Sequence, residues 1–164
     1  MIERGPYKKG WPRHNLARLT EFLDSQHPDG YTLRDLEQRM GMKQQNISQS
    51  FRRDDMKLSK AERIARTYGY RLLLFFPEWE RPYPDSLPPK KEYPNAGNLS
   101  GLVKYMRDRN ITISHMAQRI GHAPNVLSNA FTKGDILLST LREITDNLKI
   151  EVIWSFEPLN EKKS

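Results

Sequence analysis

The sequence predicts a mainly α protein made of two tandem modules, each of four short helices followed by a β-strand. Three observations predict it. The chain repeats itself, apolar residues recur at helical spacing within each copy, and each copy ends in a run of strand formers.

The repeat is the strongest of the three. TLRDLEQRMG at 32–41 aligns with TISHMAQRIG at 112–121, so that Thr32 meets Thr112, Gln38 meets Gln118, Arg39 meets Arg119 and Gly41 meets Gly121. The same frame carries on through Ser48 and Ser128, Phe51 and Phe131, Asp55 and Asp135, Ser59 and Ser139, Ile64 and Ile144, and Phe76 and Phe156. Upstream, a short insertion near His27-Pro28-Asp29-Gly30 shifts the frame, and Asn15-Leu16 then meets Asn98-Leu99. A colinear series of this length points to duplication.

Within the first copy, Leu16, Leu19, Phe22 and Leu23 give helical spacing over 13–26, with Pro12 acceptable at a helix start. Thr32 should cap a second helix, with Asp35 three residues on as a variant capping box. Leu33, Leu36 and Met40 form its inward face, and Gly41 ends it. A third helix is expected over 44–52, with Ile47 and Phe51 turned inward. Ser59 is expected to cap a fourth, with Glu62 completing a box and Ile64, Ala65 and Tyr68 packing. Residues 70–76 then read as a strand. Its counterpart over 150–156 alternates, placing Val152, Trp154 and Phe156 on one face and Glu151 and Ser155 on the other. A lone strand leaves its backbone groups unpaired. Strands 70–76 and 150–156 should therefore pair as an antiparallel two-stranded ribbon about a pseudo-two-fold axis, either within one chain or by self-association of two.

The organisation follows. Residues 1–14 form a basic N-terminal arm, 15–76 the first module, 77–97 a linker, 98–158 the second module and 159–164 a tail. The linker holds Pro77, Pro82, Pro84, Pro88, Pro89 and Pro94, which forbid helix and central strand and favour an extended spacer.

A helix, a glycine turn and a second helix bearing short polar residues make up the helix-turn-helix pattern. The stretch TLRDLEQRMGMKQQNISQSFRRDDMKLSKAERIARTYGY resembles the Cro/repressor (XRE-type) helix-turn-helix family. The resemblance covers most of 15–76 and, more faintly, 98–156. It implies two lambda-repressor-like domains whose third helices enter the major groove of double-stranded DNA. In the first copy it assigns DNA contact to Gln44, Gln45, Ser48 and Gln49, with Arg52 and Arg53 following toward the backbone or a guanine. In the second it assigns Asn125, Ser128, Asn129 and Lys133. Gln and Asn can pair bidentately with adenine. Thr32 and Thr112 begin second helices, where backbone amides and a hydroxyl can hold a phosphate. There are departures. Lys43 and Ala123 stand where the family usually places a serine or threonine cap, and Lys43 is expected to gain a phosphate contact instead. Pro124-Asn125 replaces Gln44-Gln45, so the two copies should not read identical half-sites.

Composition sets the outer limits. The chain has 164 residues and a net charge of +7, with a sequence pI near 9.7. Residues 1–15 contribute Arg4, Lys8, Lys9 and Arg13 against Glu3, so much of the excess lies in the arm, which reads either as a minor-groove or phosphate contact or as a solvated tail. No apolar run approaches the roughly 18 residues a membrane span needs, and the N-terminus lacks the apolar stretch of a secretory signal. The absence of cysteine removes disulfides and zinc–thiolate sites and fits a reducing compartment. Localisation is therefore expected to be cytoplasmic and nucleoid-associated.

No catalytic residues, cofactor or metal are expected. His14, His27, His115 and His122 match no recognised metal spacing, and Asp54, Asp55 and Asp135 read as loop or capping residues. The expected function is a sequence-specific double-stranded DNA-binding regulator, a repressor, reading a pseudo-palindromic site. The alternative is a protein-interaction regulator, such as an antitoxin or a polymerase-associated factor, with one or both modules remodelled for protein contacts.

Overall fold

The computed structural model describes residues 8–41, 44–77, 93 and 95–159, with the side chains of 44–46 excepted. The fold is mainly helical with a small sheet. Strand β1 is Lys8–Lys9. Helices α1 (Ala17–Gln26), α2 (Leu33–Met40), α3 (Gln44–Arg53) and α4 (Leu58–Thr67) follow, then strand β2 (Tyr70–Phe75). After a single 3₁₀ turn, Gly97–Leu99, come α5 (Ser100–Asp108), α6 (Ile113–Ile120), α7 (Pro124–Lys133), α8 (Leu138–Leu148) and β3 (Ile153–Pro158).

The helix ends have local causes. The amides of Asn15 and Leu16 bond the Asp54 carboxylate at 2.9 and 3.1 Å, so α1 begins at Ala17 rather than near residue 13. The capping box of α2 is present: Asp35 N bonds Thr32 Oγ1 and Thr32 N bonds an Asp35 carboxylate oxygen. Gly41, at φ 66°, closes α2 in the left-handed region that glycine enters without cost. Ser59 does not cap α4. The helix starts at Leu58, and the amides of Leu58 and Ser59 bond the Ile136 carbonyl and the Asp135 carboxylate. The cap thus comes from a segment far along the chain, which a local Ser-x-x-Glu pattern cannot reveal. Glu62, expected to complete that box, instead accepts from Asn98 Nδ2 at 2.7 Å.

The two long strands are antiparallel, with Leu72 opposite Phe156 and Leu74 opposite Trp154. Leu74 and Trp154 are also equivalent in the internal repeat, as a two-fold axis through the ribbon requires. The expected two-stranded ribbon is corrected to a three-stranded sheet in the order β1-β3-β2. Lys8 and Lys9 of the arm pair with Trp154 and Ile153. Gly10 N bonds Val152 O at 2.8 Å, Trp154 Nε1 bonds Gly10 O at 3.1 Å, and Trp11 stacks edge-on to Trp154 at 5.0 Å. Residues 8–11 are therefore fastened down, the added strand covering an edge that would otherwise stand open. On the other edge, the Asn98 side chain accepts from Leu74 N (3.0 Å) and donates to Leu72 O (2.8 Å). Of the strands 70–76 and 150–156 offered above for self-association, Tyr70–Phe75 pairs inside one chain with Ile153–Pro158, so the second strand begins three residues later than expected.

One apolar core runs through both halves, from Leu16, Leu23, Leu36 and Ile47 to Leu127, Phe131, Ile144 and Trp154. Val152 and Trp154 are buried and Phe156 stacks on Phe22 at 4.3 Å, as the alternation predicts. The opposite sheet face is not the polar one expected: Leu73, Phe75 and Ile153 form a second buried cluster there, and Ser155 is 2 % exposed.

Candidate nucleic-acid interface

The segments that follow α3 and α7 meet side by side. Lys57 and Leu137 form an antiparallel bridge. Leu58 N bonds Ile136 O at 2.7 Å, and Leu138 N bonds Met56 O at 2.9 Å. Asp135 accepts from Ser59 N and Oγ at 2.8 and 2.7 Å, and Asp55 accepts from Ser139 N and Oγ at 3.0 and 2.6 Å. Each contact has its mirror in the repeat, and Lys57 and Leu137 are themselves equivalent positions. This is the reciprocity of an isologous interface, drawn within one chain. It brings the C-terminal ends of α3 and α7 to a common seam.

A charge-inverted version of the same exchange ties α1 and the 3₁₀ turn to the fourth helices. Arg142 Nη1 donates to Asn15 Oδ1 at 3.3 Å, while Asn98 Nδ2 donates to Glu62. Asn15 and Asn98 are equivalent, as are Glu62 and Arg142. Each asparagine amide serves whichever polarity it meets.

The candidate contact residues fall on both sides of the seam. Lys43 lies outside the described residues. Gln44 and Gln45 occupy the first turn of α3, their side chains outside what is described. Further along α3, Ile47 is buried, Ser48 half-buried, and Gln49, Arg52 and Arg53 exposed. On α7, Leu127 and Phe131 are buried, Ser128 half-buried, and Asn125, Asn129 and Lys133 exposed. Gln49, Arg52 and Arg53 on α3 and Asn125, Asn129 and Lys133 on α7 therefore point outward over an apolar underside. Ala123 leaves α7 without a side-chain cap, and Pro124 opens it. Gly134 ends α7 at φ 68°, and a Cβ there would sit 2.9 Å from the Ala96 carbonyl oxygen.

Thr32 and Thr112 are both exposed N-caps, but their surroundings differ. The Asp35 carboxylate already takes the anion position at the α2 terminus, and the Thr32 backbone amide holds its carboxyl below the ordinary carboxylate value. At α6 the corresponding residue is His115, whose amide bonds Thr112 Oγ1 at 3.0 Å. The α6 terminus borders an open cleft of about 1020 Å³ whose walls include Arg107, Asn110, Ser114, Asn125 and Ser128. Thr112 is thus better placed than Thr32 to receive a phosphate.

Trans capping by Asp55 and Asp135 was missed by local reasoning. A signal existed: the repeat keeps both the aspartates and Ser59 and Ser139. Three of the four histidines have side-chain partners: His14 sits 2.8 Å from Asp54, His27 2.6 Å from the Tyr68 hydroxyl, and His122 2.8 Å from Glu143. Among the described residues no group of His, Asp and Glu is arranged to hold a metal ion, and no helix is long and apolar enough to cross a membrane. No protein-family model, no curated protein and no solved structure matches the chain.

Proposed function

We propose that this protein is a sequence-specific double-stranded DNA-binding regulator, a repressor, whose two halves are XRE-type helix-turn-helix modules fused into a pseudo-dimer. The observation that carries the reading is the reciprocal seam. It draws the ends of two outward-polar helices, α3 and α7, to one axis, and a pair so related can address successive major grooves about 34 Å apart. Gln49 and Asn129, exposed at equivalent positions, are assigned to adenine edges. Gln44, Gln45, Ser48, Asn125 and Ser128 belong to the same reading surface. Lys43, Arg52, Arg53 and Lys133 are assigned to phosphate or guanine, and Thr32 and Thr112 to phosphate. Such a protein would be found with the nucleoid.

A mobility-shift selection from a randomised duplex library tests this. The expected result is one enriched site with two unlike half-sites one helical turn apart, and affinity that falls steeply with salt. Absence of any enriched site at moderate salt overturns it.

A second reading, protein recognition by the second half, is favoured by Val126 and Leu137, which are 55 % and 42 % exposed. It predicts that charge reversal at Lys43, Arg52 and Arg53 leaves biological activity intact.

A further inference from the structure

Lys57, Lys60 and Arg63 follow one another at three-residue steps from the start of α4, which stacks them along one helix face. Like charges in that relation repel. Arg53, at the end of α3, joins them, and all four line one cavity of about 440 Å³ together with the Ser50 and Ser59 hydroxyls. No Asp or Glu is among the described residues that line it. Asp135, on the adjoining loop, is taken up by the amide and hydroxyl of Ser59. Lys60 Nζ donates to Ser50 Oγ at 2.9 Å, and Arg63 Nη2 donates to the Met40 carbonyl at 3.1 Å, so both cations are held in place. Burial, and after it the charge of Arg53, keep the Lys60 pKa below the ordinary lysine value.

The internal repeat supplies a control. The four equivalent positions in the second half are Lys133, Leu137, Thr140 and Glu143. The same backbone plan is built there with one cation and one carboxylate in place of four cations. The fold therefore does not demand the charges of the first half, and a ligand gives them a reason to be there.

We infer that the cavity between α3 and α4 is a binding site for a phosphate group, held by Arg53, Lys57, Lys60 and Arg63. A tetrahedral oxyanion offers acceptors to several charged N–H donors at once and relieves their mutual repulsion. The phosphate has two possible sources: the DNA backbone, in which case the inference rests on the function proposed above, or a free phosphorylated small molecule.

The test titrates inorganic phosphate against chloride at matched ionic strength into the full chain, followed by amide resonances of α3 and α4 and by the Lys60 side-chain nitrogen. Saturable shifts confined to this cavity are expected, with the Lys60 pKa rising as the anion binds. Affinity should fall at least tenfold in the Lys60→Met, Arg63→Met double variant and stay unchanged in Lys149→Gln, at an exposed position away from both helices. If that double variant is unfolded, Arg53→Gln with Lys57→Gln, both exposed, carries the same readout. No saturable shift, or equal binding by the cavity variants, overturns the inference. Competition then identifies the source. A selected duplex that displaces phosphate, when one carrying a single methylphosphonate near its centre does not, assigns the site to DNA. Phosphate retained alongside bound duplex assigns it to a free ligand. Phosphate binding without any duplex binding would sink the DNA-binding reading and leave this site standing.

Discussion

From the end of α3 into α4 the first half carries Arg52, Arg53, Lys57, Lys60 and Arg63, where the second half carries Thr132, Lys133, Leu137, Thr140 and Glu143. At the core-facing steps around them the halves agree: Phe51 and Phe131, Leu58 and Leu138, Ile64 and Ile144. So do the residues that stitch the halves together, Asp55 and Asp135 with Ser59 and Ser139. Positions that match are those the core and the seam require. Of the positions that differ, Arg52, Arg53, Lys57 and Arg63 are exposed, as are Thr132, Lys133, Leu137 and Glu143, while Lys60 is half-buried and Thr140 buried. The difference gives the first half five cations over this stretch, where the second has one cation and one carboxylate.

The largest expected effect concerns what the halves share. Trp154 is 1 % exposed, packs edge-on to Trp11 and lies opposite Leu74 in the ribbon. Trp154→Ala should destabilise the chain by about 3–5 kcal/mol, the usual range for a buried aromatic cut to alanine. Because one core runs through both halves, calorimetry should show a single transition that moves as a whole. Two transitions, with only the second displaced, would break the picture of one cooperative unit.

The next effect concerns what they do not share. Gln49→Ala and Asn129→Ala remove equivalent exposed amides from α3 and α7. Each should cost about 1–3 kcal/mol of binding to a selected duplex, and each should relax preference in its own half-site alone. If Asn129→Ala changes nothing while Gln49→Ala weakens binding, the second half does not read bases. If neither matters, the proposed interface is wrong.

The repeat, the helices, the inward faces and both long strands are legible in the sequence because local periodicity and capping record them. The outward placement of Gln49, Asn125 and Asn129 was equally legible, since it follows from the burial of Ile47, Leu127 and Phe131 one helix face away. What escaped depends on which distant segment arrives. Lys8 and Lys9 look like part of a solvated basic arm until β3 lies beside them. Ser59 looks like a cap until Asp135 supplies one. Asn98 carries no local sign that its amide will close the edge of β2. The cluster of cations around Lys60 escaped for the same reason. It spans two helices whose packing brings Arg53 to the three-residue ladder of α4.

The reciprocal caps give a smaller effect with a built-in comparison. Asp55→Ala should unseat the start of α8, and Asp135→Ala the start of α4, at about 1–2 kcal/mol each. Near-equal losses are expected, because each aspartate makes two bonds to one serine on the opposite side of the seam. Asp54 is a neighbour with a different duty, since its carboxylate holds Asn15, Leu16 and His14. Hydrogen exchange at the first-turn amides of α4 and α8 separates the two roles. Loss of protection at α1 in Asp55→Ala would show that the duties are not divided as the contacts indicate.

The smallest effect distinguishes the two threonine caps. Thr32→Ala and Thr112→Ala should each cost about 1 kcal/mol in the helix they begin. Only α2 should respond to acid. The carboxyl of Asp35 is held below its ordinary value, first by the Thr32 backbone amide and then by the Thr32 side chain, so the folded state favours the charged form. A carboxylate with a lowered folded-state pKa contributes stability that is present above its unfolded value. That contribution is lost as pH falls through the folded one. Lowering the pH through the carboxylate range should therefore weaken protection of the first-turn amides of α2. The corresponding amides of α6, where His115 replaces the aspartate, should not follow. Asp35→Asn should remove the difference between the two helices. Parallel loss of protection in α2 and α6 would mean that the acid effect comes from elsewhere, and that the two helix termini are less distinct than their caps make them.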